Sequence, residues 1–190
     1  RARLVALADQ DDVWRHDKLE VLVRTATDPA TVVEEPLAVH SDVEVVDHEL
    51  QTVAASLVDY QLLKRGLEGP LARLLVQSHL TGCSMLVNRA LIDRALPIPE
   101  EAVMHDAWLA LVAAAFGRIR FEPRALVRYR QHGTSEIGAR RHRISDVIRR
   151  ARDGDGAGDS IRAKLLQARA FRERFGPDLD ADANRVLDTF

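Results

Sequence analysis

Short apolar runs with sharp polar boundaries, mixed with stretches of helical spacing, define the elements of this chain. Leu4 to Ala8 is a small, branched apolar segment cut off by polar residues, which predicts a strand buried on both faces with a loop at its carboxyl end. Asp17 precedes "KLEVLVRTA", where Leu19, Leu22 and Val23 recur at helical spacing behind a capping residue. "PLAVHSDVEVVD", Pro36 to Asp47, predicts two short strands separated at Ser41-Asp42. From Gln51 to Lys64, Val53, Leu57 and Tyr60 share one helical face, and Gly66, Gly69 and Pro70 end that element. Cys83 to Asn88 predicts a second buried strand, entered through Thr81-Gly82 and followed by a short helix that stops at "LPIP". Asp106 to Phe116 puts Trp108, Leu111, Val112 and Ala115 on one stripe and predicts a core helix. "RIRFEP" and "ALVRYR" predict two further strands.

Strand, acidic loop, helix is an α/β unit, and the order of elements through residue 138 predicts a mixed sheet flanked by helices. After Gly138 the character changes. Arg140 to Arg152 carries six arginines and His142 around a narrow Ile144, Val147, Ile148, Ala151 stripe, an amphipathic basic helix. "DGDGAGD", Asp153 to Asp159, predicts a flexible break before a helix with Ile161, Leu165, Ala168, Phe171 and Phe175 in register, then a short one after Gly176-Pro177. The division is therefore residues 1–138 as an α/β domain and 139–190 as a C-terminal helical extension.

The 190 residues suffice for one domain with a substantial core. With 27 basic and 29 acidic residues, no global field points to nucleic acid. Cys83 is the single cysteine, which excludes an internal disulfide and a zinc site built on paired cysteines and fits a reducing compartment. The longest nearly uninterrupted apolar run, Ala107 to Phe116, is far shorter than the ~18 residues a bilayer requires. No signal peptide is expected, and a start at Arg1 gives the expectation that the chain begins in mid-protein.

Three constellations can carry chemistry. "DQDD" places Asp9, Asp11 and Asp12 just beyond the first strand, where carboxylates can converge on a hard cation such as Mg²⁺ or Mn²⁺, or simply form a solvated loop capping the next helix. Ligands of open α/β sheets bind beyond the carboxyl ends of strands, which favours the first reading. Asp106, in "MHDAW", lies in the first turn of the core helix, as an ordinary cap or as a general base facing a cleft. His132, in "YRQHG", follows a strand beside Gly133, as a metal ligand or an ordinary histidine.

Taken in order, "ALADQDDVWRHDKLEVL", "HSDVEVVD", "TGCSMLVNRALI", "MHDAWLALVAAAFG" and "YRQHG" resemble the family-2 glycosyltransferases of the GT-A fold, especially the bacterial rhamnosyltransferase-like branch, from about Leu4 to Gly138. The resemblance implies a Rossmann-like GT-A sheet and an inverting, metal-dependent transfer of a sugar, rhamnose in that branch, from a nucleotide-sugar donor to a glycan or lipid-linked acceptor of cell-surface polysaccharide. It assigns Asp9 and Asp11 to the DXD element that meets the donor and its Mn²⁺ or Mg²⁺, with Asp11 as metal ligand and Asp12 assisting. Asp106 matches the catalytic base. His132 resembles a histidine that completes the metal site in some members. Thr81, Gly82 and Cys83 correspond to a loop lining the donor-sugar and acceptor region, with no assured role for any one side chain.

The family's strand-helix-strand half that cradles the nucleotide base, with its "IPTYN"-like and "DDGSTD"-like segments, has no counterpart here. The expectation is a truncated GT-A domain that binds nucleotide-sugar poorly and shows no turnover by itself, because remote binding energy is missing. The rival from another class is a non-catalytic remnant or interaction module of the same shape. A metal-dependent phosphohydrolase using "DQDD" lacks a nearby nucleophile-and-base pair. The basic helix Arg140 to Arg152 is either a solvated helix docked by its apolar stripe or a peripheral contact with anionic lipid at the inner face of the cell membrane. Cytoplasmic location follows from the same resemblance.

Overall fold

The computed structural model describes residues 2–27, 35–60, 71–78, 80–131 and 157–190, with side chains from residue 160 in the last segment. His132, Gly133 and the whole basic stretch Arg140 to Arg152 lie outside the described residues. A six-stranded mixed sheet is flanked by helices, which bears out the α/β expectation. Its strands are β1 (Leu4–Ala6), β2 (Val13–Trp14), β3 (Leu37–Val46), β4 (Thr52–Ala54), β5 (Met85–Asn88) and β6 (Arg118–Arg130). The order is β1-β5-β3-β6-β2, and β4 pairs with β3. β6 runs parallel to β3, while β5 and β4 both pair antiparallel with β3 near its two ends.

Side-chain alternation along the strands feeds two cores. Leu37, Val39 and Leu86 face α1 (Lys18–Ala26), where they meet Val21, Leu22 and Ala26. Ala38, Met85 and Val87 face the opposite layer. That layer contains α3 (Leu71–Val76), α4 (Arg89–Ala95), α5 (His105–Phe116), α6 (Ala157–Phe175) and α7 (Ala181–Thr189). β1 behaves likewise, with Leu4 and Ala6 on one core and Val5 on the other, but it is the sheet's edge strand and so is only half-buried. Helices of the C-terminal segment share the core of the sheet: Phe171 and Phe175 pack on Trp108 of α5.

Several elements differ from the sequence expectation, each for a physical reason. The two strands expected over Pro36 to Asp47 are one strand, and the Ser41-Asp42 interruption is a register shift against β6. Asp42 is buried there; it accepts from the backbone N–H groups of Val43 (2.8 Å) and Leu57 (3.1 Å) and from the Ser56 hydroxyl (2.5 Å). Those bonds start α2 (Leu57–Tyr60), where a helix from Gln51 to Lys64 is expected; Val53 belongs to β4 and is exposed, and residues 61–64 lie outside the described residues. "RIRFEP" and "ALVRYR" are likewise one strand, because β6 follows β3 through the same irregularity. The buried face of α1 is Lys18, Val21, Leu22 and Ala26, whereas Leu19 and Val23 are exposed. A lysine counted as polar hides that stripe. Asp17 stands at the N-cap but makes no capping bond, since its carboxylate is held by Arg15 through two 2.9 Å contacts. Residues 157–159 of the expected break already belong to α6, whose Ile161 and Leu165 are exposed while Ala168, Phe171 and Phe175 are buried. Among the described residues no helix is long and apolar enough to cross a membrane.

Candidate functional site

The topology brings one end of β1, β3, β5 and β6 together. β5 is antiparallel to β1 and β3, so the turn that leads into it, Gly82–Ser84, lies at the carboxyl end of β1, beside the acidic loop, and against the middle of β3. Leu7 N–H donates to the Met85 carbonyl (3.1 Å), which fixes where the loop leaves the sheet. β2 then pairs with the carboxyl end of β6, and Arg130 closes the loop: its amide donates to Asp12 Oδ1 (2.9 Å) and its Nε to the Asp11 carbonyl (3.0 Å).

Within this loop Asp9 is exposed, and Asp11 and Asp12 are half-buried. Ligand atoms of Asp9, Asp12 and the buried Cys83 lie within 4.8 Å of one another. Asp12 Oδ2 is buried and closes no hydrogen bond among the described residues, although the Cys83 thiol faces this carboxylate. Burial pushes the Asp12 carboxyl up, with Asp9 and Asp11 adding to the rise; the thiol and the Arg130 amide oppose it. Burial also pushes the Cys83 thiol far up, with Asp12 reinforcing it.

A hard divalent cation fits this set through oxygen alone. Mg²⁺ and Mn²⁺ use one or two protein carboxylates and leave positions for phosphate oxygens, and the unpartnered Asp12 Oδ2 with Asp9 offers such a pair. The protonated thiol adds no ligand of the required hardness. Sequence reasoning paired Asp11 with His132 instead. His132 lies outside the described residues, and the Asp11 side chain is not among the three clustered groups.

Asp106 sits in the first turn of α5, next to the turn before β5. Its Oδ2 accepts from the Gly82 amide (2.9 Å) and its Oδ1 from the Ala107 amide (2.7 Å). The N-cap position of α5 is Met104 and no side chain caps it, so Asp106 is not a cap: it bonds the adjacent Ala107 amide and reaches the Gly82 amide across the site. A β-carbon at residue 82 would lie 3.0 Å from His105 Nε2 and 3.4 Å from Asp106 Oδ2, so glycine allows α5 to approach this closely. A carboxylate has about four lone-pair sites, and two remain for a proton or a hydroxyl.

Asp9, Thr81, Gly82 and Asp106 line one cleft of about 480 Å³, with Tyr129 of β6 and Lys164 of α6 on its walls. The sequence-predicted donor residues Asp9, Thr81 and Gly82 and the predicted base are therefore neighbours across one cavity. Burial pushes the Tyr129 phenol up to about 12. Tyr129 opens the "YRQHG" block, which is singled out for His132 alone, and Lys18 and Lys164 belong to none of the three constellations.

No protein-family model matches the chain, and neither a curated protein nor a solved structure matches it.

Proposed function

We propose that this chain forms the catalytic part of an inverting, divalent-metal-dependent glycosyltransferase that moves a sugar from a nucleotide-sugar to a hydroxyl of a glycan or lipid-linked acceptor. One observation carries the reading: an acidic strand-end carboxylate, Asp9, and a hydrogen-bonded helix-start carboxylate, Asp106, open into the same cleft. Asp106 takes the proton of the acceptor hydroxyl as its oxygen attacks the anomeric carbon, and the bond from that carbon to the diphosphate oxygen breaks. The Gly82 and Ala107 amides hold the Asp106 carboxylate in one orientation for that transfer. Asp9 and Asp12 would hold the metal on geometry, Asp11 with His132 on resemblance. A bound divalent ion supplies Lewis-acid neutralisation of the leaving diphosphate. Rhamnose is the first donor sugar to test, and surface-polysaccharide synthesis in a bacterial cytoplasm is the setting the resemblance favours; a solvated helix is the first reading of Arg140 to Arg152, and contact with anionic lipid the second.

Because the chain by itself is expected to bind nucleotide-sugar poorly and show no turnover, the test is release of nucleoside diphosphate from a panel of nucleotide-sugars, with Mn²⁺ and candidate acceptors, by this chain fused to a nucleotide-binding half of the family's strand-helix-strand kind. Asp106→Asn should lower kcat by about 10²- to 10⁴-fold with donor affinity nearly unchanged. Mn²⁺ titration with and without nucleoside diphosphate separates the ligand sets: Asp12→Asn weakens binding if the geometric pair holds the ion, and Asp11→Ala or His132→Ala if the other does. Donor binding without diphosphate release would favour the non-catalytic reading. Absence of any donor binding would remove the proposal.

A further inference from the structure

Lys18 occupies a position with several separate penalties. It is the first residue of α1, so its charge lies against the positive end of the helix dipole. Its side chain has no exposed surface, and burying an ammonium is strongly unfavourable unless partners compensate it. A methionine would fill much the same volume without either penalty. Its contacts supply the compensation: Nζ donates to the Cys83 carbonyl at 2.6 Å, lies 3.3 Å from the centre of the Trp14 ring, and feels the carboxylates of Asp12 and Asp9.

The Cys83 carbonyl belongs to the same turn whose Gly82 amide donates to Asp106. That turn is closed on itself by Ser84, whose amide and hydroxyl both donate to the Thr81 carbonyl, at 2.9 and 2.8 Å. It is therefore a small rigid unit, held from the acidic-loop side by Lys18 and from the α5 side by Asp106. We propose that Lys18 is a positioning residue: by gripping the Cys83 carbonyl it sets the Gly82–Ser84 turn between the acidic loop and Asp106, so that the loop carboxylates and Asp106 keep one mutual geometry. As a fixed positive charge beside Asp9 and Asp12, the ammonium also relieves their repulsion when no cation is bound and competes electrostatically with one that binds. The catalytic meaning of that geometry rests on the glycosyltransferase reading, whereas the linkage itself does not.

The experiment compares the full chain with Lys18→Met, which removes charge and donor at similar volume, and with Lys18→Gln, which keeps an N–H donor without charge. Hydrogen exchange followed by NMR reads the Gly82 amide. In Lys18→Met it should exchange at least about tenfold faster, while Leu111 in the middle of α5 keeps its protection. Titration of Mn²⁺ alone should show binding roughly three- to tenfold tighter in either variant, because a repelling charge has gone; a side chain that only fills space would leave affinity unchanged or weaken it. In the fusion that carries a nucleotide-binding half, turnover of Lys18→Met should fall more than about tenfold with donor KM within about twofold. Wild-type Gly82 protection in folded Lys18→Met overturns the proposal. If Lys18→Met does not fold, Lys18→Gln decides through its Mn²⁺ affinity, and an unchanged value there overturns the proposal. Should the wild-type fusion transfer no sugar, the kinetic arm counts against the functional reading alone, and the amide and Mn²⁺ arms on the chain itself still decide the role of Lys18.

Discussion

Lys18 and Tyr129 titrate in opposite senses around one small volume. Burial holds the Lys18 ammonium down to about 8 against an ordinary 10.5, so between those values the unfolded chain keeps a proton that the folded chain has released. Stability then rises with pH across that window, by roughly 3 kcal/mol in all, and that gain is lost again as pH falls to about 8. Tyr129 does the reverse: the folded chain keeps the phenolic proton to about 12 while the unfolded one loses it near 10, so stability falls as pH rises over that interval. Denaturant midpoints at pH 7.5 and 9 should therefore climb for the wild type and stay flat for Lys18→Met, which begins to fall at pH 10 as Tyr129 takes over. Asp12 adds an opposite slope at low pH, since its raised pKa makes stability fall as pH rises just above the ordinary carboxylate value.

Asn88 is where β5 becomes α4, and one side chain serves three neighbours. Its Oδ1 accepts from the Leu91 amide (3.0 Å), capping the helix, and from the Leu37 amide (2.9 Å) at the start of β3; its Nδ2 donates to the Glu35 carbonyl (2.7 Å). Asn88→Ala should cost about 2–4 kcal/mol in equilibrium unfolding, the cap plus the buried groups left without partners. A loss below about 1 kcal/mol would mean that water replaces those bonds. The same element-level logic explains what the amino-acid order foretold. "CSMLVN" followed by a helix was legible because a buried apolar run ended in a good capping residue. The Ser41-Asp42 break was legible as an interruption but not as a bulge, since the partner strand that turns it into one is about eighty residues away.

The helices after residue 157 belong to the same hydrophobic core as the sheet. Phe171 is fully buried, its ring 5.5 Å from that of Trp108 in an edge-to-face contact, and Trp108 in turn donates Nε1–H to the Ala95 carbonyl (3.0 Å). Phe171→Ala should cost about 3–5 kcal/mol and lower the melting temperature in one cooperative transition. Two separate transitions would instead make the C-terminal helices a unit of their own. Through α6 this packing also carries Lys164 to the cleft wall, so the same substitution should weaken any ligand that fills the cleft.

Much about the molecule was settled by the order of residues alone: which segments are buried strands, where α5 and α6 run, and that acidic residues follow the first strand. Those features follow from periodicity and capping, which are local. Only the tertiary structure decided that Lys18 belongs to a buried face, that the carboxylates gathered with Cys83 are Asp9 and Asp12, and that Asp106 reaches the Gly82 amide. Each of these depends on strands and turns far apart in the chain meeting at one end of a sheet, and a meeting of that kind leaves no periodic trace in either partner.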